Sequence, residues 1–255
     1  MPTPFTHLAA ASEILAHPDL APAALSALAA QSPAFLLGST APDVQTVSGQ
    51  AREATHFFPV PLNGAPAATG ALLGRYPALA GAAALPADQA AFVAGYLGHL
   101  VFDQLWIARI FEPVFGPEQS WGTFRERLYL HNVLRAHWDA QDLARLTPDT
   151  ARGLNAAEPR GWLPFVVDEH LRAWRDLLGD QLGSGAGRTV EVFAERMRVD
   201  PVAFAELLAS PDELERQVLR RLPPGTLAEY RAQALEASAR TISAYWRGEP
   251  LPPQL

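Results

Sequence analysis

The sequence predicts an all-α protein, a multi-helix bundle around one buried central helix. Hydrophobic residues make up 49% of the 255-residue chain, which is enough for a sizeable core. No segment alternates apolar and polar residues through a β-branched run, so we expect no sheet. The stretch from about residue 86 to about residue 111 is apolar on every side, which is typical of a helix in the centre of a protein.

Proline residues and apolar periodicity place the other helices. Residues 5–17 form the first predicted helix, with Thr6 as its cap and Pro18 at its end. Asp43 is expected on a loop, and His56 at the end of a short helical or extended piece. Further helices are predicted at 22–31, 66–84, 120–146, 165–182, 189–198, 201–209, 211–222 and 226–247, with loops at 44–51 and 147–164.

The glycine-rich stretch GSGAG at 183–187 is a candidate boundary. We therefore expect a helical core over residues 1–182 and a helical C-terminal subregion over residues 188–255 that packs on it. A single domain is the alternative.

Composition excludes several classes of protein. The absence of cysteine excludes disulfides and thiolate metal sites, and leaves histidine and carboxylate as the strong metal ligands. A net charge of −7 without a basic cluster argues against binding to duplex nucleic acid. The N-terminal sequence MPTPFTHLAAASEIL has neither the basic region nor the cleavage pattern of a signal peptide, so we expect a cytoplasmic location.

The central apolar stretch carries polar residues that need a partner. His99 and Asp103 stand four residues apart, so on a helix they share one face. Their presence argues against a transmembrane helix, and none is expected. An unpaired carboxylate in a protein core costs several kcal/mol, and a bound cation would satisfy Asp103.

Three more candidate ligands, His7, Asp43 and His56, precede this helix in apolar or small-residue settings. Each also has an ordinary structural interpretation: His7 on the surface, Asp43 as a turn or helix cap, and His56 packed beside aromatic neighbours. Spacing alone leaves both interpretations open, including that of His99 as a core histidine.

The ordered motifs THL, GSTAPDV, ATHFF and GYLGHLVFDQLW resemble the zinc-dependent phospholipase C family, over about the first 110 residues. The bacterial members of that family share an all-helical fold with single-strand-specific nucleases. The resemblance implies that Asp43, His56, His99 and Asp103 bind one Zn²⁺. It further implies that Asp103 bridges to a second Zn²⁺ that is also held by His7.

The sequence departs from the family pattern at the third zinc. Trp106 and Ile107 stand where the family has a histidine after Asp103, and His131 is followed four residues later by Arg135 instead of glutamate. His131 is the candidate for whatever remains of that site, so one, two or three Zn²⁺ ions are expected. His137 is interpreted as structural, and His17 and His170 as surface residues.

The resemblance implies a zinc-dependent phosphoric ester hydrolase, in which metal-activated water attacks a phosphodiester. Asp43 would then act both as a ligand and as the catalytic base that orients the nucleophile. The expected substrate is a small phosphoester or a phospholipid head group. The alternatives are a nuclease or small-molecule phosphodiesterase with the same metal centre, or a helical protein that binds metal without catalysis. Base stacking in a nuclease would use aromatic residues, for which the candidates are Phe57, Phe58, Trp106 and Trp121.

Overall fold

The computed structural model describes residues 1–184 and 199–253, and over these ranges it contains helices and no strands. The predicted all-α class is therefore confirmed. The α-helices are α1 (Pro4–Leu15), α2 (Pro22–Ala30), α3 (Ser32–Gly38), α4 (Gln45–Ser48), α5 (Arg52–His56), α6 (Ala68–Arg75), α7 (Ala87–Trp106), α8 (Phe124–Leu143), α9 (Pro148–Asn155), α10 (Asp168–Ser184), α11 (Pro201–Ala209), α12 (Pro211–Gln217) and α13 (Thr226–Arg247). Shorter 3₁₀ turns lie at Ala41–Val44, Pro77–Leu79, Ala82–Ala84 and Leu219–Arg221.

The two predicted loops are wrong in part. The loop predicted at 44–51 contains α4, and the loop predicted at 147–164 begins with α9. Helix α9 starts at Pro148, whose fixed φ suits the first turn of a helix. Both helices are too short to show an apolar period. The predicted helix at 189–198 lies outside the described residues, as does most of the predicted break at 183–187, so the division into two regions stays a prediction.

Helix α7 is the buried centre of the fold. Every residue from Ala90 to Trp106 is buried, and α3 and α13 make the most extensive contacts with this helix. The helix does not end near residue 111, as predicted. It continues as a π-helix over Ile107–Phe115, which includes Pro113. Among the described helices, Ala87–Phe115 alone is long and apolar enough to cross a membrane, and its apolar window is wholly buried inside the protein.

Two glycines allow α3 and α7 to touch backbone to backbone. A Cβ atom added to Gly95 would overlap the carbonyl oxygen of Phe35, and one added to Gly38 would overlap the carbonyl oxygen of Phe92. Only glycine permits this approach. It brings the backbone of Ser39, at the end of α3, against the face of α7 that carries His99.

The last helix, α13, also packs on α7. The hydroxyl of Tyr230 donates to the carbonyl oxygen of Phe102 at 2.9 Å, and both residues are buried. Arg231, the next residue, ties α13 to the rest of the bundle by pairing with Glu13 on α1 and Asp142 on α8. The helices around α7 are therefore joined by polar as well as apolar contacts.

Candidate metal centre

Five of the six predicted ligands come together around one carboxylate. His7 lies in the first turns of α1, Asp43 in the 3₁₀ turn Ala41–Val44, and His56 at the end of α5. His99 and Asp103 project from the same face of α7, as their spacing predicts. Four separate segments of the chain thus supply polar groups to one point in the core.

Asp103 lies at the centre of this cluster. Its Oδ1 is 3.3 Å from Nε2 of His7, and its Oδ2 is 3.2 Å from Nε2 of His56 and 3.6 Å from Nε2 of His99. Nε2 of His56 is also 3.5 Å from Oδ1 of Asp43. The two oxygens of Asp103 therefore face different histidines.

Four side-chain atoms of the cluster have no aligned hydrogen-bond partner. Nε2 of His7, His56 and His99 and Oδ1 of Asp103 are all buried and unpartnered. Such groups are costly to leave unsatisfied in a core. The possible metal-binding atoms form two overlapping sets, and within each set they lie within 4.8 Å of one another. The sets are His7–His99–Asp103 and Asp43–His56–His99. Nitrogen and carboxylate oxygen atoms at this separation fit metal binding, which would satisfy the unpartnered atoms.

Hydrogen bonds behind the histidines turn their Nε2 atoms towards the cluster. Nδ1 of His99 lies 2.9 Å from the carbonyl oxygen of Ser39, and because a carbonyl only accepts, Nδ1 must carry the proton. Nδ1 of His56 lies 3.0 Å from the hydroxyl of Thr55, and that hydroxyl is 2.9 Å from Oε1 of Gln45. Metal-binding histidines are commonly oriented by such outer partners.

Burial and mutual charge set the protonation of the cluster. Burial, with the neighbouring His99, lowers the pKa of His7 to about 4, so this side chain is neutral near pH 7. Burial alone would raise the pKa of Asp103, but the charge of His99 and the contacts with His56 and His7 hold it well below its usual value. Burial lowers the pKa of His99, but the ionised Asp103 raises it more. A proton and a metal ion therefore compete for Nε2 of His99.

The sixth predicted ligand, His131, lies outside both sets. Its Nε2 accepts a hydrogen bond of 2.8 Å from the indole nitrogen of Trp106, and its ring packs against Phe111 and Phe115. That hydrogen bond occupies the Nε2 lone pair, and burial lowers the pKa of His131 well below its usual value. The remaining histidines, His17, His137 and His170, are partly exposed and belong to neither set.

Sequence reasoning missed Arg52, whose guanidinium lies beside Asp103. One terminal nitrogen is 3.5 Å from Oδ2 of Asp103, and the other donates to the carbonyl oxygen of Phe58 at 3.1 Å. The guanidinium carbon is 4.4 Å from the centre of the Phe58 ring. A signal was available, since Arg52 precedes His56 by four residues, the spacing that relates His99 to Asp103.

The aromatic residues considered for base stacking are placed differently from one another. Phe58 and Trp106 are buried in the core. Phe57 is partly exposed and contacts the ring of Phe165 edge-on, with ring centres 5.3 Å apart. Trp121 is partly exposed and donates to the carbonyl oxygen of Val114. Of the four, Phe57 alone directly follows a residue of the cluster.

The position of His7 depends on an acid from another helix. Thr6 is not the cap of α1; the cap position belongs to Thr3, and Oδ1 of Asp139 on α8 accepts from the backbone nitrogens of Phe5 and Thr6 at 3.1 Å each. The hydroxyl of Thr3 donates to the same oxygen. Asp139 therefore satisfies the free donors at the start of the helix that carries His7.

No protein-family model matches this chain, and comparisons with curated proteins and with solved structures give no match.

Proposed function

We propose that this protein is a zinc-dependent phosphoric ester hydrolase that resembles the zinc-dependent phospholipase C family. The observation that supports the proposal best is the convergence of His7, Asp43, His56, His99 and Asp103, in which the histidine Nε2 atoms are buried without partners. The same five residues carry the sequence resemblance. A purely local feature would not bring together residues that are up to 96 positions apart in the chain.

The two oxygens of Asp103 face two different groups of ligands. Asp43, His56, His99 and Asp103 would hold one ion, and His7 with the other oxygen of Asp103 is available to a second. Bound zinc lowers the pKa of water towards about 7 and offsets the negative charge of a phosphoryl group. A donor set of imidazole and carboxylate without thiolate suits zinc.

Asp43 is the residue of the cluster best placed to handle a proton. Its side chain is 18% exposed, whereas the other four residues are at most 2% exposed. Burial would raise its pKa, but the contact with His56 and the charge of His99 lower it to about 2, so the carboxylate is ionised. In hydrolysis its oxygen would orient the attacking water and accept its proton.

A second candidate is a protein that binds metal without catalysis. The observation that favours it is the placement of His131, which contacts Trp106 and leaves no third set of ligands among the described residues. A third ion would have assisted the leaving group, so its loss would weaken hydrolysis. The nuclease and small-phosphodiesterase alternatives share the proposed metal centre and differ only in substrate.

Turnover assays test the proposal. Zinc-loaded protein would be offered a chromogenic phosphodiester, a phosphocholine ester and a dinucleotide, each with and without added zinc. We expect zinc-dependent hydrolysis of at least one substrate, a loss of at least about 100-fold in Asp43→Asn, and no loss in the control Asp149→Asn, whose side chain is 77% exposed. Bound zinc without turnover of any substrate would favour the non-catalytic protein.

A further inference from the structure

Arg52 is the charged residue of the candidate metal centre that the ligand set does not use. Its side chain is 18% exposed, the same fraction as that of Asp43, while His7, His56, His99 and Asp103 are almost completely buried. The cluster therefore reaches solvent on the side of Arg52 and Asp43. A substrate must approach from that side.

The contact between Arg52 and Asp103 is poor for an ion pair. A guanidinium that serves to neutralise a carboxylate usually forms two parallel bonds of about 2.7–2.9 Å. Here a single nitrogen lies 3.5 Å from one oxygen. The side chain is held by the carbonyl oxygen and the ring of Phe58 and by a contact of the same terminal nitrogen with Sδ of Met1, while its Nε is buried without a partner. Arg52 is thus fixed beside the cluster with donor capacity to spare.

Charge favours an anion at this position. Asp43 and Asp103 contribute two negative charges and Arg52 one positive charge. One divalent ion would bring the centre to a net charge of about +1, and a second to about +3. With two ions the metals and carboxylates carry about +2 without Arg52, so its guanidinium is repelled unless an anion lies between them. Phosphate fits, because its oxygens match the planar fork of arginine.

We propose that Arg52 is the oxyanion-binding residue of this site and recognises the phosphoryl group of the substrate. This inference rests on the proposed function, since it needs the bound metal. The recognised chemistry is a phosphate oxyanion, whether it belongs to a lipid head group, a nucleotide or free phosphate. Arg52 also lies close enough to Asp103 to compete with the metal for that carboxylate.

These two roles predict opposite effects of one substitution. In Arg52→Gln, phosphate binding to the zinc-loaded protein should weaken at least tenfold, while zinc affinity should stay unchanged or increase, because a competing cation has gone. If Arg52 merely held the structure together, zinc and phosphate affinity would fall together. Arg240→Gln, which removes the same charge from a side chain that is 59% exposed on α13, is the matched control and should change neither.

The experiment is a pair of calorimetric titrations, first zinc into metal-free protein and then inorganic phosphate into zinc-loaded protein. Phosphocholine and a nucleoside monophosphate are titrated in parallel, and all three should show the same dependence on Arg52. If thermal unfolding shows that Arg52→Gln does not fold, Arg52→Lys is used instead. This variant keeps the positive charge but lacks the planar fork of the guanidinium. It should bind phosphate at least threefold more weakly than the wild type.

The outcomes separate the two proposals. A wild-type chain that binds no zinc overturns both of them. A wild-type chain that binds zinc, with unchanged phosphate affinity in the folded Arg52 variant, overturns this inference alone. So does a loss confined to phosphocholine or to the nucleotide, because Arg52 would then recognise a different part of the ligand.

Discussion

Asp103 and Asp142 are equally buried acids in very different surroundings. Each has a side chain that is 1% exposed. Both oxygens of Asp142 accept from Arg231 at 3.0 Å, and Arg145 adds a further contact at 3.1 Å. Asp103 is surrounded by histidine nitrogens at 3.2–3.6 Å that are not aligned for hydrogen bonding. Asp142 is thus satisfied by the protein itself, whereas Asp103 belongs to a cluster that could hold a metal ion.

The largest loss of stability should come from substitution of Asp142, whose carboxylate is fully paired. Asp142→Asn should destabilise the metal-free protein by about 4 kcal/mol, because it leaves part of a buried ion-pair network unmatched. Asp103→Asn should destabilise the metal-free protein by less than Asp142→Asn does, because the contacts of Asp103 are longer and poorly aligned. Urea unfolding in the presence of a chelator measures both. Equal destabilisation by the two substitutions would mean that Asp103 is also an ordinary structural acid.

A substitution at the contact of α3 with α7 should lower both the stability of the fold and the zinc affinity of the cluster. Gly95→Ala should cost about 3 kcal/mol, because the new Cβ would push α3 away from α7. The carbonyl oxygen of Ser39 would then move off Nδ1 of His99, so zinc affinity should also fall.

Gly98 provides the matched control on the same helix. A Cβ added there would make only ordinary contacts, at 3.6 Å, with Ile14 and Ile242. Gly98→Ala should therefore be neutral, or stabilise by up to about 1 kcal/mol through helix propensity. Similar losses of stability in both variants, measured by urea unfolding, would contradict the special role of the close helix contact at Gly95.

A smaller effect is expected at Asp139, a third buried acid, which is paired with neutral donors. Burial raises its pKa to about 7, despite the hydrogen bonds from Thr3 and Thr6 that lower it. The folded state therefore binds this proton more tightly than the unfolded state, whose pKa is near 3.8. The contribution of Asp139 to stability should fall as the pH rises from about 4 to about 7, and stay level above that.

Asp139→Asn removes this dependence. Between pH 8 and pH 5, the stability of the wild type should increase relative to that of the variant by about 2–3 kcal/mol. Urea unfolding of both metal-free proteins across this range measures the difference. A constant difference at every pH would contradict the raised pKa of Asp139.

The features that could be predicted from sequence are those with a local signature. The central helix follows from its length and apolar character, and the shared face of His99 and Asp103 follows from their spacing. His7, Asp43 and His56 have no local signature, and only the order of their motifs suggested that they belong together. The short helices α4 and α9 were missed because fewer than three turns cannot show a period.

Other features depend on contacts that a sequence does not encode locally. The partner of Nδ1 of His99 is the backbone carbonyl of Ser39, which any residue type could supply. His131 is the candidate for the third zinc site that the family resemblance implies, but the indole nitrogen of Trp106 donates a hydrogen bond to its Nε2. Asp139 showed no pattern that linked it to α1, because the pairing arises only when α8 packs on that helix.

Zinc titration of chelator-stripped protein tests the metal centre most directly. The wild-type chain should bind at least one equivalent of zinc, and Asp103→Asn should bind it at least about 100-fold more weakly, while the exposed control Asp149→Asn should match the wild type. Less than one equivalent in the wild type, or equal zinc affinity in Asp103→Asn, would contradict the assignment of this cluster as a metal site.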